Sequence, residues 1–75
     1  MSIQVKFFAS LREQVGQSDR SIEQASTADE VWRIATNNAE QPDNLLVAIN
    51  LEYAKLTSSV SDGDEVAFFP PVTGG

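Results

Sequence analysis

The sequence predicts an α+β fold, a roll in which one main helix covers a mixed sheet of four or five strands. Segments of alternating apolar and polar residues lie at both ends of the chain, and one amphipathic segment with helix-start signals lies between them. The chain has 75 residues, which is room for a single hydrophobic core. We expect residues 1–69 to form this domain and residues 70–75 to form a free, extended C-terminal tail.

The first and last strands are predicted by alternation of apolar and polar residues. Segment 2–8 places its aliphatic residues on one face, but Phe8 puts an aromatic ring on the opposite face. Segment 65–69 likewise has Phe68 on one face and Phe69 on the other. These two strands are strongly apolar, so we expect them to pair in parallel at the centre of the sheet.

The main helix is predicted from its start signals and its apolar stripe. Thr27 and Glu30 have the spacing of a capping box, and Pro42 prevents helix beyond about residue 40. Trp32 lies on the apolar stripe and is interpreted as a core residue. The stripe consists of Ala28, Val31, Trp32, Ala35 and Ala39.

Weaker patterns predict the remaining elements. Ser10 and Glu13 suggest a second capping box, which would begin a helix of one or two turns that ends at Gly16. The other predicted elements are strands at residues 20–24, 45–49 and 53–56, a turn at residues 50–52 and a turn at residues 61–64. This order of elements corresponds to the β-grasp arrangement.

Composition excludes several kinds of chemistry. The chain has no Cys and no His, so a thiol nucleophile, a persulfide, a His general base and the usual zinc ligands are absent, and we expect no metal site. It has 11 acidic and 5 basic residues, a formal net charge of −6, which makes nucleic acids and anionic membranes poor partners. No apolar segment is long enough to span a membrane, and no basic leader begins the sequence, so we expect a cytoplasmic location.

The C-terminal sequence has the properties of an extended segment that enters another protein. Pro70 and Pro71 end strand pairing and favour an extended backbone, so residues 70–75 could reach about 18–20 Å. Val72 and Thr73 offer orienting contacts. The final two residues, Gly74 and Gly75, have no Cβ and would fit a narrow channel.

The terminal carboxylate is the reactive group that such a tail would deliver. It becomes electrophilic once adenylated, and a sulfur donor could then convert it to a thiocarboxylate. The chain has no phosphate-binding GxxxxGK[ST] motif. We therefore expect no cofactor on this chain, with ATP bound by an activating partner.

The segments SIQVKFFASLREQVG and VSDGDEVAFFPPVTGG resemble the small subunit of molybdopterin synthase, a family of ubiquitin-like sulfur carriers. The resemblance implies that an E1-like adenylyltransferase activates Gly75 and that a sulfurtransferase system forms its thiocarboxylate. It further implies that the tail enters a large synthase subunit within a heterotetramer and gives sulfur to cyclic pyranopterin monophosphate. The catalytic residues would belong to the large subunit. Segment 41–44 is short for that family.

The aromatic rings of Phe8 and Phe69 are candidates for the partner interface. Both lie off the core-facing pattern, and on neighbouring strands they would be adjacent beside the tail. The alternative is that loops of the same domain cover them. Three other functions also remain open: a sulfur carrier for the thiazole of thiamine, a ubiquitin-like modifier joined to protein lysines through Gly75, and a passive binding domain whose tail has no role.

Overall fold

A computed structural model describes residues 2–71 and contains five strands and two helices within that range. The elements are β1 (Ile3–Phe7), α1 (Ser10–Val15), β2 (Asp19–Ile22), α2 (Ala28–Thr36), β3 (Leu46–Ile49), β4 (Glu52–Ala54) and β5 (Glu65–Phe69). The strands form one sheet in the order β2-β1-β5-β3-β4. The α+β prediction is therefore confirmed, as is the central parallel pairing of β1 with β5. No helix in this range is long and apolar enough to cross a bilayer.

The core lies between one face of the sheet and helix α2. Buried and exposed residues alternate strictly along β1, and its inward side chains meet those of β5. Trp32 is fully buried, as expected, and its indole Nε1–H donates a hydrogen bond of 2.8 Å to the Ala39 carbonyl. This bond satisfies the polar atom of the largest core side chain, because a buried N–H without a partner would destabilise the fold.

Helix α2 begins as predicted but ends earlier. The Thr27 hydroxyl accepts a hydrogen bond from the Glu30 amide at 3.2 Å. The helix ends at Thr36 because Asn37 and Asn38 both adopt left-handed backbone angles, with φ of 57° and 64°. Asparagine tolerates this conformation better than most residues, so the two asparagines end the helix before Pro42 can do so.

The predicted capping box of helix α1 is wrong. Ser10 is the first helical residue, the N-cap is Ala9, and no side chain caps this end. The predicted C-cap is confirmed, since Gly16 has φ of 79° and its N–H donates to the Arg12 carbonyl. Buried Leu11 attaches this short helix to the core.

Four strands differ from the predictions by one or two residues at their ends. Strand β1 covers Ile3–Phe7 rather than 2–8, β2 covers Asp19–Ile22 rather than 20–24, β3 starts one residue later than predicted, and β4 covers Glu52–Ala54 rather than 53–56. The last shift arises because Asn50 and Leu51, both with positive φ, make a two-residue hairpin turn that returns the chain sooner. The turn at residues 61–64 is as predicted, with the Asp64 amide donating to the Ser61 carbonyl.

Candidate functional site

The two candidate aromatic residues meet on the outer face of the sheet. The parallel register pairs Phe7 with Phe68, so the next residue of each strand faces outward beside the other. The rings of Phe8 and Phe69 are stacked, with centroids 4.9 Å apart and an interplanar angle of 6°. Phe8 remains 40% exposed and Phe69 is half-buried. The predicted adjacency is confirmed, and loops of the domain leave Phe8 open to solvent.

An apolar groove surrounds this pair. Its volume is about 400 Å³, and its lining residues are Phe8, Ala9, Leu46, Tyr53, Phe69, Pro70 and Pro71. We call this feature the aromatic groove. Seven side chains with no formal charge make a surface that favours contact with another apolar surface.

The sheet register brings two of these residues to the groove from β3 and β4. Leu46 is paired with Phe69, and the Tyr53 ring centroid lies 6.5 Å from that of Phe69. Tyr53 is 78% exposed, so most of its ring is available to a partner. The sequence interpretation missed both residues. The alternation of β4 could have indicated that Tyr53 faces outward, but its distance to Phe69 depends on the strand order.

The tail begins at the aromatic groove. Strand β5 is the middle strand of the five and ends at Phe69, after which Pro70 and Pro71 are half-buried and line the groove. Val72, Thr73, Gly74 and Gly75 lie outside the described residues. Four residues span at most about 14 Å. A partner that contacts the groove would therefore be within reach of the terminal carboxylate.

The opposite end of the outer face is polar. Lys6 and Glu65 form an ion pair of 3.3 Å, and the Asn50 side chain donates a hydrogen bond of 3.0 Å to the Asp64 carboxylate. Hydrogen bonds from the Asn50 side chain and the Ser61 amide lower the pKa of the Asp64 carboxyl below its ordinary value. One face of the sheet thus changes from charged to apolar toward the end where the tail begins.

This architecture defines the class of the protein. A five-stranded mixed sheet with a central parallel pair, packed on one main helix, is the ubiquitin-like β-grasp fold. SAMP1 from Haloferax volcanii has a similar crystal structure, with a TM-score of 0.81 and 28% identity, and the match covers 100% of each chain.

The chain belongs to the ThiS family, whose model matches residues 5–75. It is 40% identical to the molybdopterin synthase sulfur carrier subunit of Haemophilus influenzae, over 97% of this chain and 99% of the relative. The protein of the same name from Escherichia coli is also 40% identical, with the same coverage. The subunit 1 and 2 complex of molybdopterin-converting factor from Helicobacter pylori contains a similar chain, with a TM-score of 0.67, 25% identity and 100% coverage of both chains.

Proposed function

We propose that this chain is the sulfur-carrier small subunit of a molybdopterin synthase. The observation that carries the proposal is the 40% identity, over almost the whole chain, to two bacterial proteins with that name. The aromatic groove at the start of the tail supports it, because a carrier must dock on an enzyme while its terminus enters the active site.

The chemistry would take place at Gly75. Attack of its carboxylate on the α-phosphorus of ATP forms an acyl adenylate and releases pyrophosphate. A hydrosulfide-equivalent donor then attacks the acyl carbon and expels AMP, which leaves a thiocarboxylate. Transfer of that sulfur to cyclic pyranopterin monophosphate breaks the carbon–sulfur bond, and oxygen from water restores the carboxylate. Because a dithiolene contains two sulfur atoms, each product molecule requires two charged carriers.

This chain would supply the carboxylate and the docking surface, and the partners would supply ATP binding, sulfur delivery and catalysis. We assign ATP binding to an E1-like adenylyltransferase, sulfur delivery to a sulfurtransferase system, and catalysis to the large synthase subunit in a cytoplasmic heterotetramer. The Helicobacter pylori complex, which contains both subunits of a molybdopterin-converting factor, supports the large-subunit assignment. The tail inserted into the partner's active site would consist of Pro70, Pro71, Val72, Thr73 and Gly74, with Gly75 at its end.

The composition and exposure of the aromatic groove support docking through this surface. Exposed aromatic rings around a concave surface are typical anchors of protein interfaces. The net charge of −6 would add attraction to a partner with a basic surface. We therefore assign Phe8 and Phe69 to the interface, together with Tyr53 and Leu46.

Conjugation to protein lysines is the second candidate function. It is favoured by the similarity to SAMP1 of Haloferax volcanii, at a TM-score of 0.81, and to the structure of small archaeal modifier protein 1 from the same organism. Both functions begin with the same adenylation of Gly75. They differ in the nucleophile that follows, which is a sulfur donor in one and a lysine amine in the other.

Intact-mass spectrometry tests the carrier function directly. The chain is incubated with its E1-like enzyme, ATP and a sulfide source, and replacement of one carboxylate oxygen by sulfur should add about 16 Da to the mass. A matched variant carries one additional residue after Gly75, which displaces the carboxylate by about 3.5 Å, and it should form no molybdopterin once the large subunit and the pterin precursor are added. An unchanged mass of the parent chain under active conditions would contradict the carrier function.

Reconstitution separates the possible products. Addition of the large subunit and cyclic pyranopterin monophosphate to the charged chain should yield molybdopterin. Charged chain that supports only thiazole formation would instead indicate a carrier for thiamine synthesis. Lysine-linked conjugates of high mass, without thiocarboxylate, would indicate a modifier.

A further inference from the structure

The two edges of the sheet differ in what they offer to a further strand. Strands β2 and β4 are the edge strands, and residues 2–71 contain no strand that pairs with their outer sides. An edge strand presents backbone N–H and C=O groups with which a strand of another chain can pair. The register of each hairpin determines which residues present these groups.

Tyr53 turns its backbone groups toward the free edge of β4. Ile49 and Glu52 flank the two-residue turn and form the hydrogen-bonded pair that closes the hairpin. Hydrogen-bonded and non-hydrogen-bonded pairs alternate along antiparallel strands, so the next pair, Ala48 and Tyr53, is not hydrogen-bonded. The N–H and C=O of Tyr53 therefore point away from β3, toward the place that a further strand would occupy.

The opposite edge presents similar backbone groups in polar surroundings. The Phe7 amide donates a hydrogen bond of 2.9 Å to the Ser18 carbonyl, so by the same alternation Ser21 turns its N–H and C=O outward on β2. The exposed residues of β2 are all polar. The guanidinium of Arg20 donates a hydrogen bond of 3.0 Å to a carbonyl of helix α2. A strand added at this edge would gain backbone hydrogen bonds but no apolar contact.

At the β4 edge, the outward backbone groups lie beside an apolar surface. The Tyr53 side chain is 78% exposed and lines the aromatic groove, with its ring centroid 6.5 Å from that of Phe69. A strand added here would lie about 4.8 Å beyond β4, and its outward side chain would contact the Tyr53 ring. Backbone pairing supplies affinity and side-chain contacts supply specificity in complexes that form by strand addition. Both contributions meet at Tyr53.

We propose that the β4 edge binds an extended strand of the partner that docks on the aromatic groove, through the N–H and C=O of Tyr53. The inference rests on the proposed function for the identity of this partner, the large synthase subunit. Strand β4 has three residues, and of these Tyr53 faces the edge, so the added strand makes two hydrogen bonds. This pairing fixes the orientation of the docked domain, and with it the direction in which the tail leaves the sheet.

The register of β4 also specifies the chemistry of the partner strand. The residue opposite Tyr53 lies on the outer face and should be apolar, because side chains alternate between the two faces. A neighbouring residue of the partner strand lies on the other face beside the exposed Glu52, where a lysine or arginine would pair with the carboxylate. A second copy of this chain is a poor occupant, since both copies carry a net charge of −6.

Hydrogen exchange tests the pairing without any substitution. In the free chain, the Tyr53 and Ser21 amides should both exchange rapidly, because neither is hydrogen-bonded within the sheet. Binding of the large subunit should slow exchange of the Tyr53 amide about tenfold or more. The Ser21 amide is the internal control, and its rate should change less than twofold.

Substitutions at Tyr53 separate the backbone contact from the contact of the ring. Proline is tolerated at an edge position whose N–H points to solvent, and it removes this donor. Tyr53→Ala removes only the ring and should raise Kd for the large subunit about fivefold, whereas Tyr53→Pro should raise Kd about tenfold further. Ser21→Pro is the matched control on the other edge and should change Kd less than twofold. Circular dichroism should show that all three variants are folded.

Contrary results distinguish this inference from the proposed function. An unprotected Tyr53 amide in the complex, or equal Kd for Tyr53→Pro and Tyr53→Ala, would overturn the edge pairing and leave the carrier function intact. Slow exchange of this amide in the free chain would also overturn it, because a second copy or the chain itself would then occupy the edge. The exchange measurement decides alone if Tyr53→Pro does not fold. A parent chain that forms no complex would contradict the proposed function, and the pairing with it.

Discussion

Phe7 and Phe8 are consecutive residues, and so are Phe68 and Phe69, yet the two aromatic pairs that they form have different environments. On the inner face, Phe7 and Phe68 stack with centroids 5.9 Å apart, and both rings also pack edge-on against Trp32. On the outer face, Phe8 and Phe69 stack at 4.9 Å, but Phe8 keeps 40% of its surface exposed. The same side chain in the same register thus stabilises the domain on one face and is available for recognition on the other.

The difference arises from what covers each face. Helix α2 packs on the inner face, where Trp32 closes the core. Among the described residues, the outer pair is bordered by the side chains of the aromatic groove, and Phe8 stays open to solvent. If this interpretation is correct, truncation on the inner face should affect folding, and truncation on the outer face should affect binding.

Truncation of the inner pair should have the largest effect. Phe68→Ala leaves a cavity beside Trp32 and should lower the free energy of unfolding by about 3–5 kcal/mol, a large part of the total for a small domain. Phe69→Ala, one residue further along the same strand, is the matched control. It removes a stacked, half-buried ring and should lower the free energy of unfolding by about 1 kcal/mol. Urea unfolding of both variants measures the difference, and equal losses would remove the distinction between the two faces.

For binding affinity, truncation on the outer face should have the larger effect. Phe69→Ala should weaken association with the large synthase subunit by about 2 kcal/mol, roughly thirtyfold in Kd, while the circular dichroism spectrum remains that of the parent. Calorimetric titration measures this effect. Ile34→Ala is a suitable control, because Ile34 is 42% exposed but lies on helix α2, away from the groove. A folded Phe69→Ala variant with parental affinity would exclude the outer pair from the interface.

The sequence was sufficient to assign the two aromatic faces because alternation in a strand is a local property. Phe8 and Phe69 follow directly from the period of two, and the start of α2 follows from Thr27 and Glu30. The parallel pairing of β1 and β5 was also predictable, because both strands are strongly apolar.

The remaining groove residues depend on tertiary structure. Tyr53 and Leu46 reach Phe69 only through the strand order and register, which no local pattern specifies. The left-handed angles of Asn37 and the positive φ of Ala9 were likewise not predictable, because both depend on where the flanking elements pack. The sequence predicted a helix end near residue 40 from Pro42, and two asparagines ended it earlier.

The polar end of the outer face should make the smallest contribution to the free energy of unfolding. Its contribution should be detectable only as a pH dependence of stability at acidic pH. The Asn50 side chain and the Ser61 amide donate hydrogen bonds to the Asp64 carboxylate, which lowers the pKa of Asp64 below its ordinary 3.8. A lowered pKa means that the folded state favours the ionised form. The resulting stabilisation is complete above the pKa of the unfolded chain and is lost as the pH falls through the lower pKa of the folded chain.

Asp64→Asn should therefore make the urea midpoint depend less on pH below about pH 4 than that of the parent, with little change in this dependence near neutrality. Asp62→Asn, which removes one charge from the same turn, is the control for the loss of charge. Because Asp64 is only partly buried and water screens its carboxylate, we expect a smaller change than truncation of either aromatic residue. Affinity for the large subunit should not change in Asp64→Asn, since this end of the face lies opposite to the aromatic groove. A loss of affinity comparable to that of Phe69→Ala would extend the interface over the whole outer face, and the contrast between its two ends would no longer hold.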